Sequence, residues 1–133
     1  MRSVLVAEDD AALRWLYRVW LEGAGYRVTE AADGREAIRL LEAGPLPDAA
    51  VLDVDMSYVD GLSVCRYLRL RSLSVRIVIV SGMQPISVEA NAILAKPCDR
   101  EELVAALVSG WTRDRAAGGA RARRRAGVPL ERR

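Results

Sequence analysis

The amino-acid sequence predicts an α/β protein whose parallel sheet is covered by helices on both faces. Two observations support this prediction. Short apolar runs alternate along the chain with segments of helical spacing, and the runs at residues 49–53 and 75–80 are apolar almost throughout. Strands that are buried on both faces have such continuous runs, and alternation of strands with helices is typical of parallel sheets. Because crossovers between parallel strands are right-handed, few topologies remain.

The first element is a β-branched run at residues 3–7, which is typical of a short strand. Apolar side chains then recur at helical spacing across residues 13–21, and Gly23 and Gly25 end that helix. Residues 26–31 predict the second strand. The chain therefore begins with a strand, a helix and a strand, which is the repeating unit of a parallel sheet.

The second helix begins with a capping box. Asp33 is followed three residues later by Glu36, and each of these side chains can accept a hydrogen bond from a free N–H at the helix start. The helix is predicted to run to about residue 43, after which glycine and proline break the chain at residues 44–47. Residues 49–53 follow as the third strand.

The second half of the chain continues the alternation. Asp60 and Gly61 begin a third helix that extends to about residue 70, and residues 75–80 form the clearest buried strand. Residues 92–95 predict a short fifth strand. These elements complete a sheet of five strands.

The last helix begins at a second capping box, Asp99 with Glu102, and is predicted to end near Trp111. Residues 1–111 are therefore predicted to form one domain, with a net charge of −4. Residues 112–133 carry eight arginines against two acids and have one Val, one Leu and no aromatic residue, so this tail is predicted to be disordered. Arginine runs can bind nucleic acid, but the tail has no aromatic residue for base stacking, and we expect an inert or weakly electrostatic end.

Composition excludes several classes of function. The chain has no histidine and only two cysteines, Cys65 and Cys98, which do not form a CxxC pair. Hydrolases that depend on histidine are therefore excluded, and the composition argues against a zinc site and a disulfide scaffold. Both cysteines are predicted to be core or loop residues. No apolar run approaches the roughly 20 residues that span a membrane, and the N-terminus lacks a signal-peptide core. We expect a cytoplasmic protein that does not enter the membrane.

The polar residues that are candidates for catalysis or metal binding lie at the ends of the predicted strands. Glu8 and Asp9 come directly after the first strand, Asp53 ends the third, Ser81 ends the fourth, and Lys96 follows the fifth. The carboxyl ends of parallel strands meet at one edge of the sheet, and ligands of open α/β sheets bind there. The sequence therefore predicts that these five side chains form a single site.

Carboxylates that converge without a histidine are ligands for a hard cation, and Mg²⁺ fits them best. Because like charges at close range repel, a divalent ion or the lone lysine, Lys96, must neutralise them. Asp53 beside Mg²⁺ can act as a nucleophile toward phosphorus and form an aspartyl phosphate. The ion and the Lys96 ammonium would stabilise charge on the transferring oxygens, and the Ser81 hydroxyl can donate a hydrogen bond to one of them.

Four motifs carry a resemblance to a known family. They read VLVAEDD at 4–10, VLDVDMSYVDG at 51–61, IVIVSG at 77–82 and ILAKP at 93–97. In this order and near this spacing, the sequence resembles the receiver domain of two-component response regulators over about residues 2–110. The resemblance implies the flavodoxin-like fold, a doubly wound parallel sheet with strand order 2-1-3-4-5.

The resemblance also implies roles for individual residues. Asp53 takes the position of the phosphoacceptor, and Glu8 and Asp9 take the positions of the acidic pair that holds Mg²⁺ together with Asp53. The main-chain carbonyl of Asp55 corresponds to a further ligand of the ion. In the same way, Ser81 takes the position of the switch hydroxyl.

Lys96 matches the family lysine, whose bond to the following proline, here Pro97, is usually cis. The function implied is that of a stand-alone receiver, which accepts a phosphoryl group from a sensor histidine kinase or a histidine phosphotransfer protein. Such a domain signals to a downstream protein by contact, and a homodimer is one form of that contact. It is not an enzyme beyond self-catalysed phosphoryl transfer and autodephosphorylation.

The sequence departs from the family between the fourth and fifth strands. Only 14 residues separate Ser81 from Lys96, fewer than is typical of a receiver, and they include Pro85 and lack helical periodicity. The helix that the family has here is therefore predicted to be short or missing. Ile93 stands where many receivers have an aromatic side chain that rotates with the switch hydroxyl. Signal transmission is accordingly predicted to differ.

Two other functions stay open at this point. A degenerate receiver would bind its partner without phosphorylation. The altered segment before the fifth strand is compatible with this alternative, whereas the intact set of acids, Ser81 and Lys96 opposes it. The DxD pattern at residues 53–55 is similar to that of haloacid-dehalogenase phosphatases, but those place it at the first strand of a longer chain. Trp15 lies off the apolar stripe of the first helix, which indicates either a docking surface for a kinase or phosphotransfer protein or a packed boundary residue.

Overall fold

The structure is a computed structural model that describes residues 1–82 and 89–115. Five strands and four helices lie in these residues. The strands are β1 (Ser3–Ala7), β2 (Arg27–Ala31), β3 (Ala49–Asp53), β4 (Arg76–Ser81) and β5 (Ala92–Ala95). The helices are α1 (Ala11–Gly23), α2 (Gly34–Ala43), α3 (Gly61–Arg71) and α4 (Arg100–Arg115).

All five strands pair in parallel in one sheet of order β2-β1-β3-β4-β5. This is the predicted flavodoxin-like order, so the fold prediction is confirmed. The strand order reverses at β1 and β3, which are neighbours in the sheet although α1, β2 and α2 lie between them along the chain. A crevice at the carboxyl ends of such strands is the usual ligand site of this architecture.

The alternation of side chains along each strand divides the core between the two faces of the sheet. One face packs against α2 and α3, and its buried residues include Leu41, Cys65 and Leu68. The other packs against α1 and α4, and its buried residues include Tyr17 and Leu107. Every residue of β3 is buried, as expected for the central strand of a sheet that is covered on both sides.

Aspartates cap the N-termini of the helices. The side chain of Asp10 accepts hydrogen bonds from two N–H groups at the start of α1, and Asp60 accepts one at the start of α3. In the predicted capping box of α2, the Asp33 carboxylate accepts from the N–H of Glu36 at 2.8 Å. The Glu36 carboxylate accepts in turn from the N–H of Ala32, at 2.7 Å. These caps fix where each loop ends, and with it the geometry of the strand ends that precede them.

The structure differs from the predicted boundaries in three places. Strand β2 begins at Arg27 rather than at residue 26. Strand β4 is displaced by one residue, so that it includes Ser81, and α4 continues to Arg115 rather than ending near Trp111. Of the segment before β5, residues 82 and 89–91 are not helical. The prediction of a short or missing helix there otherwise falls on residues 83–88, outside the described residues.

The predicted disordered tail falls for the most part on residues 116–133, which also lie outside the described residues. Its disorder stays a prediction. Over residues 1–82 and 89–115, no helix is both long enough and apolar enough to cross a membrane.

Candidate functional site

The sheet brings the predicted site residues to one edge. Strands β1 and β3 pair with Ala7 opposite Leu52, which places Glu8 and Asp9 beside Asp53 at the next step. Strand β4 pairs with β5 so that Ser81 lies opposite Ala95, one residue before Lys96. The ends of four strands that are far apart in sequence therefore come to the same edge because the strands are in register.

Three carboxylates form the centre of this edge. One oxygen from each of Glu8, Asp9 and Asp53 lies within 4.8 Å of the others. Glu8 and Asp53 are buried, with relative exposures of 1% and 3%, whereas Asp9 is exposed. Buried carboxylates are rare without a compensating charge, so this cluster requires a cation.

Lys96 supplies a fixed positive charge to the cluster. Its Nζ lies 3.0 Å from Oδ1 of Asp53 and 3.1 Å from Oε1 of Glu8. The peptide bond from Lys96 to Pro97 is cis, as the resemblance implied. One ammonium thus bridges carboxylates from β1 and β3, so that two buried carboxyl groups share one positive charge.

Burial raises the pKa of Glu8 to about 7, and the nearby charge of Asp53 adds to this effect. The N–H of Asp10 and the Lys96 ammonium oppose the rise without cancelling it. Burial by itself lowers the pKa of Lys96, but its close contacts with the carboxylates of Asp53 and Glu8 raise that pKa overall. The lysine is therefore charged at neutral pH, and the cluster is short of positive charge.

Mg²⁺ fits the donors that this cluster offers. The two oxygens of Glu8 differ, because Oε2 accepts a hydrogen bond from the N–H of Asp10 at 3.1 Å. Oε1 is buried, contacts Lys96 as an ion pair, and receives no hydrogen bond of good geometry from the described residues. A buried carboxylate oxygen of this kind, with Asp9 and Asp53 beside it, is a suitable ligand for a hard divalent cation.

The loop after β3 packs closely against the acceptor position. The N–H of Asp55 donates to Oδ1 of Asp53 at 3.4 Å, and the N–H of Gly61 donates to the carbonyl of Val54 at 3.1 Å. A Cβ on Gly61 would lie 2.1 Å from the carbonyl oxygen of Asp53. Sequence reasoning treated Gly61 only as a helix start, whereas the structure shows that α3 begins against the backbone of Asp53, where no side chain fits.

The same loop is held from its other side by the start of α2. A Cβ on Gly34 would lie 1.7 Å from the carbonyl oxygen of Val59. Tyr58 has a φ of 71°, in the left-handed region that a non-glycine residue rarely adopts. Its exposed ring lies 3.8 Å below the guanidinium of Arg35. The close contact at Gly34 and the stacking of Arg35 on Tyr58 fix the loop that borders the site.

Arg14 is a further residue at the site that sequence reasoning missed. Its guanidinium donates to the carbonyl of Glu8 at 2.8 Å and forms a 3.0 Å ion pair with Glu30 of β2. Because α1 follows the acidic residues directly, this contact fixes the end of β1 from the helix side. The sequence carries no signal for it, since Arg14 is one of 19 arginines and its partner lies 16 residues away.

The remaining predicted residues lie where the sequence placed them. Ser81 ends β4 and is buried, and Asp55 follows β3 with its side chain exposed. Ile93 lies in β5 and packs against the core on the side of α2 and α3. Trp15 is 61% exposed, so the prediction that it lies off the apolar stripe is confirmed.

Comparisons with known proteins point to one family. The family model of the response regulator receiver domain matches residues 4–108. A relative named response regulator MprA, from Mycolicibacterium vanbaalenii, is 41% identical over 125 residues. That match covers 86% of this chain and 54% of the relative. The chain therefore spans about half the length of the curated relatives that it matches.

Solved structures agree with this. The receiver domain of the Francisella response regulator 1452 is 27% identical and superimposes with a TM-score of 0.77, covering 86% of this chain and 99% of that one. The chemotaxis response regulator CheY4 of Vibrio cholerae is 28% identical, with a TM-score of 0.73. That match covers 81% of this chain and 97% of the other. In both cases the likeness covers nearly the whole of the solved chain.

Proposed function

The chain belongs to the response regulator receiver domain family, a family of signalling domains, and from this premise we propose that it accepts a phosphoryl group on Asp53. The donor in this proposal is a sensor histidine kinase or a histidine phosphotransfer protein. One observation supports the assignment most strongly. The buried carboxylate of Asp53 ends the central strand, 3.0 Å from the ammonium of Lys96 and beside the carboxylates of Glu8 and Asp9.

The proposed transfer balances as a displacement at phosphorus. An oxygen of Asp53 forms a bond to phosphorus while the phosphorus–nitrogen bond of the donor phosphohistidine breaks. The leaving imidazole keeps the electron pair of that bond and takes up a proton. Lys96 and the N–H of Asp55 both contact Oδ1 of Asp53, so we assign the other oxygen, Oδ2, as the nucleophile.

Residues around Asp53 have supporting roles in this proposal. Lys96 neutralises charge that moves onto the phosphoryl oxygens, and the Ser81 hydroxyl donates a hydrogen bond to one of them. Glu8 and Asp9, with Asp53 and the main-chain carbonyl of Asp55, are the groups that would hold Mg²⁺. When bound, the ion supplies positive charge that screens the carboxylates from the incoming phosphoryl group.

Return to the resting state follows from the product. An aspartyl phosphate is a reactive acyl phosphate, and attack by water at phosphorus releases inorganic phosphate and restores the Asp53 carboxylate. The same side chains serve both directions, so the proposed cycle of transfer and autodephosphorylation needs no second active site. The domain is in this sense a self-modifying switch rather than an enzyme with a separate substrate.

The proposed partners act through protein contact. Trp15 is 61% exposed and Val19, one turn later on α1, is 42% exposed, so this helix presents an apolar strip for a kinase or phosphotransfer protein. The downstream partner, homodimer formation and the cytoplasmic location stay predictions, as does the stand-alone form. The complete set of acids, Ser81 and Lys96 favours phosphoacceptance over a degenerate binding module.

Intact mass after incubation with Mg²⁺ and acetyl phosphate tests the proposal. We expect the wild type to gain the mass of one phosphoryl group, and Asp53→Ala to gain none. Asp60→Asn is the matched control, because Asp60 is a nearby aspartate that caps α3 and asparagine caps equally well. It should gain the group like the wild type, and the gain should disappear when the cation is chelated.

A result in which Asp53→Ala still gains the group would overturn the assignment of the acceptor. No gain by a folded wild type, from acetyl phosphate and from a phosphorylated histidine phosphotransfer domain, would overturn the proposed function and leave the phosphorylation-independent binding module.

A further inference from the structure

Strand β5 carries Lys96 into the site but is weakly specified by burial. It has four residues, pairs on one side with β4, and none of its residues is fully buried. In contrast, every residue of β3 is buried. Register is strongly specified where one face of a strand is buried and weakly where it is not, so the register of β5 needs another determinant.

Asn91 supplies the first part of that determinant. Its N–H donates to the carbonyl of Ile77 at 2.8 Å, and its side-chain oxygen accepts from the N–H of Ile77 at 2.7 Å. Residue 91 thereby lies opposite Ile77, one step before the pairing of Ala92 with Val78. Both main-chain groups of Ile77 are satisfied by this one residue, which fixes the start of β5 on β4.

Arg69 of α3 holds Asn91 from the other side. Its Nη2 donates to the side-chain oxygen of Asn91 at 2.6 Å, and its Nε donates to the carbonyl of Glu89 at 2.8 Å. Its Nη1 donates to the carbonyl of Val75 at 2.7 Å, just before β4. A half-buried guanidinium therefore ties the residues before β5 to the residues before β4 by charge-assisted hydrogen bonds.

We infer that Arg69 and Asn91 are positioning residues for the phosphoryl-transfer site, because they set the register of β5 and so place the Lys96 ammonium against Asp53. A slip of one residue would move Lys96 by about 3.3 Å and turn every side chain of β5 to the opposite face of the sheet. Its contacts with Glu8 and Asp53, at 3.1 and 3.0 Å, would then be lost. The part of the inference that concerns phosphoryl transfer rests on the proposed function. The part that concerns the register of β5 and the position of Lys96 does not.

The structural content can be measured without phosphorylation, because Lys96 is the lone lysine of the chain. An amine-reactive ester modifies it, and peptide mapping separates this product from modification of the N-terminal amine. We expect Asn91→Ala and Arg69→Gln to raise the rate of Lys96 modification severalfold. Asn91→Asp should keep the wild-type rate, because aspartate retains the side-chain oxygen that both Arg69 and Ile77 use.

Arg66→Ala is the matched control, since Arg66 lies one turn earlier on α3 and is exposed. It should leave the modification rate unchanged. Circular dichroism monitors the folded fraction of each variant. Arg69→Gln and Asn91→Ala each remove one partner of the hydrogen bond between these two side chains. Equal modification rates in wild type, Asn91→Ala and Arg69→Gln would overturn the inference, whatever the outcome for phosphorylation.

Phosphorylation kinetics test the catalytic meaning. We expect Asn91→Ala to slow phosphorylation by acetyl phosphate about tenfold or more, because small displacements of catalytic groups have large effects on rate. The dissociation constant for Mg²⁺ should change less than about twofold, since Glu8 and Asp9 follow β1 and Asp53 ends β3. In a Lys96→Ala background, Asn91→Ala should have no further effect on the rate.

Additive effects of Asn91→Ala and Lys96→Ala on the rate would show that Asn91 does not act through Lys96, and would overturn the positioning role. The wild type could fail to accept a phosphoryl group while Asn91→Ala and Arg69→Gln still raise the rate of Lys96 modification. In that case the proposed function fails, but the assignment of Arg69 and Asn91 to the register of β5 stands.

Discussion

Glu8 is the buried acid that the fold accommodates least well. Its side chain is 1% exposed, and burial raises its pKa to about 7 although Lys96 lies 3.1 Å away. A neutral side chain of the same shape would avoid the free-energy cost of burying a charge, yet the chain has a carboxylate here. That choice indicates that the charge serves a ligand rather than the stability of the fold.

A first prediction concerns Glu8→Gln. We expect the variant to weaken Mg²⁺ binding about tenfold or more, because a charged ligand oxygen is lost. The free energy of unfolding without metal should stay equal or rise by about 1 kcal/mol, because a buried charge is removed. Titration calorimetry and urea unfolding measure the two effects.

Asp10→Asn is the control for Glu8→Gln, because Asp10 is adjacent but exposed and its side chain caps α1. Asparagine caps nearly as well, so the variant should bind Mg²⁺ like the wild type. Equal loss of Mg²⁺ affinity in both variants would mean that Glu8 acts through general charge rather than as a ligand.

At the scale of elements, α4 depends on a reciprocal cap at its start. The N–H of Glu102 donates to the Asp99 carboxylate at 2.8 Å, and the N–H of Asp99 donates to the Glu102 carboxylate at 2.9 Å. This cap lies three residues after Lys96, so it also fixes where the chain turns from β5 into the helix. The cap therefore links the stability of α4 to the geometry of the site.

The second prediction is that Asp99→Ala lowers the free energy of unfolding by about 1 kcal/mol, because an N–H at the helix start loses its acceptor. Asp99→Asn should lie within a few tenths of a kcal/mol of wild type, because asparagine provides the same oxygen. Urea unfolding followed by circular dichroism gives both values. If Asp99→Ala had the same free energy of unfolding as the wild type, the hydrogen bond to Asp99 would not stabilise α4.

The sequence predicted the elements well where local chemistry determines them. The capping boxes at Asp33 and Asp99 and the continuous apolar run of β3 are local signals, and the structure has the corresponding elements. The ends of β4 and α4 were less well predicted, because strand pairing and helix length depend on neighbours as well as on the sequence. The predicted change before β5 lies largely outside the described residues.

At the scale of the molecule, several groups that titrate in alkaline solution have raised pKa values. Burial raises the pKa values of Tyr17, Tyr26 and Cys65, and it raises that of Cys98 to about 11. Burial lowers the pKa of Lys96, but its carboxylate partners raise it overall. The folded state therefore holds protons that the unfolded state has already released, and stability falls as pH rises.

The third prediction follows from this sign. The free energy of unfolding should fall as the pH rises from about 9 to about 11, the unfolded and folded pKa values of Cys98. Cys98 alone contributes on the order of 2 kcal/mol to this loss. Urea unfolding below and above this window measures it, and Cys98→Ala should show a smaller loss. A free energy of unfolding that stays constant across this pH range would contradict the burial of the Cys98 thiol.

The site as a whole was predictable because parallel strands share one edge, and this rule joined Glu8, Asp53, Ser81 and Lys96 without knowledge of their contacts. The supporting residues were not predictable in this way. Arg14 of α1 donates to the main-chain carbonyl of Glu8, before the helix begins, and Arg69 reaches residues 20 and 22 positions later. Such contacts depend on side-chain reach in the folded state, and an arginine that makes them looks the same in sequence as one that does not.

The two edges of the sheet differ in how they discourage the addition of a foreign strand. Strand β2 carries the charged residues Arg27 and Glu30, and charge on an edge strand opposes pairing with another chain. Strand β5, whose sequence is AILA, has no charge, and within the described residues its protection is its length of four residues. An insertion that lengthened β5 with apolar residues would turn this edge into a template for aggregation, although no residue of the acidic site would have changed.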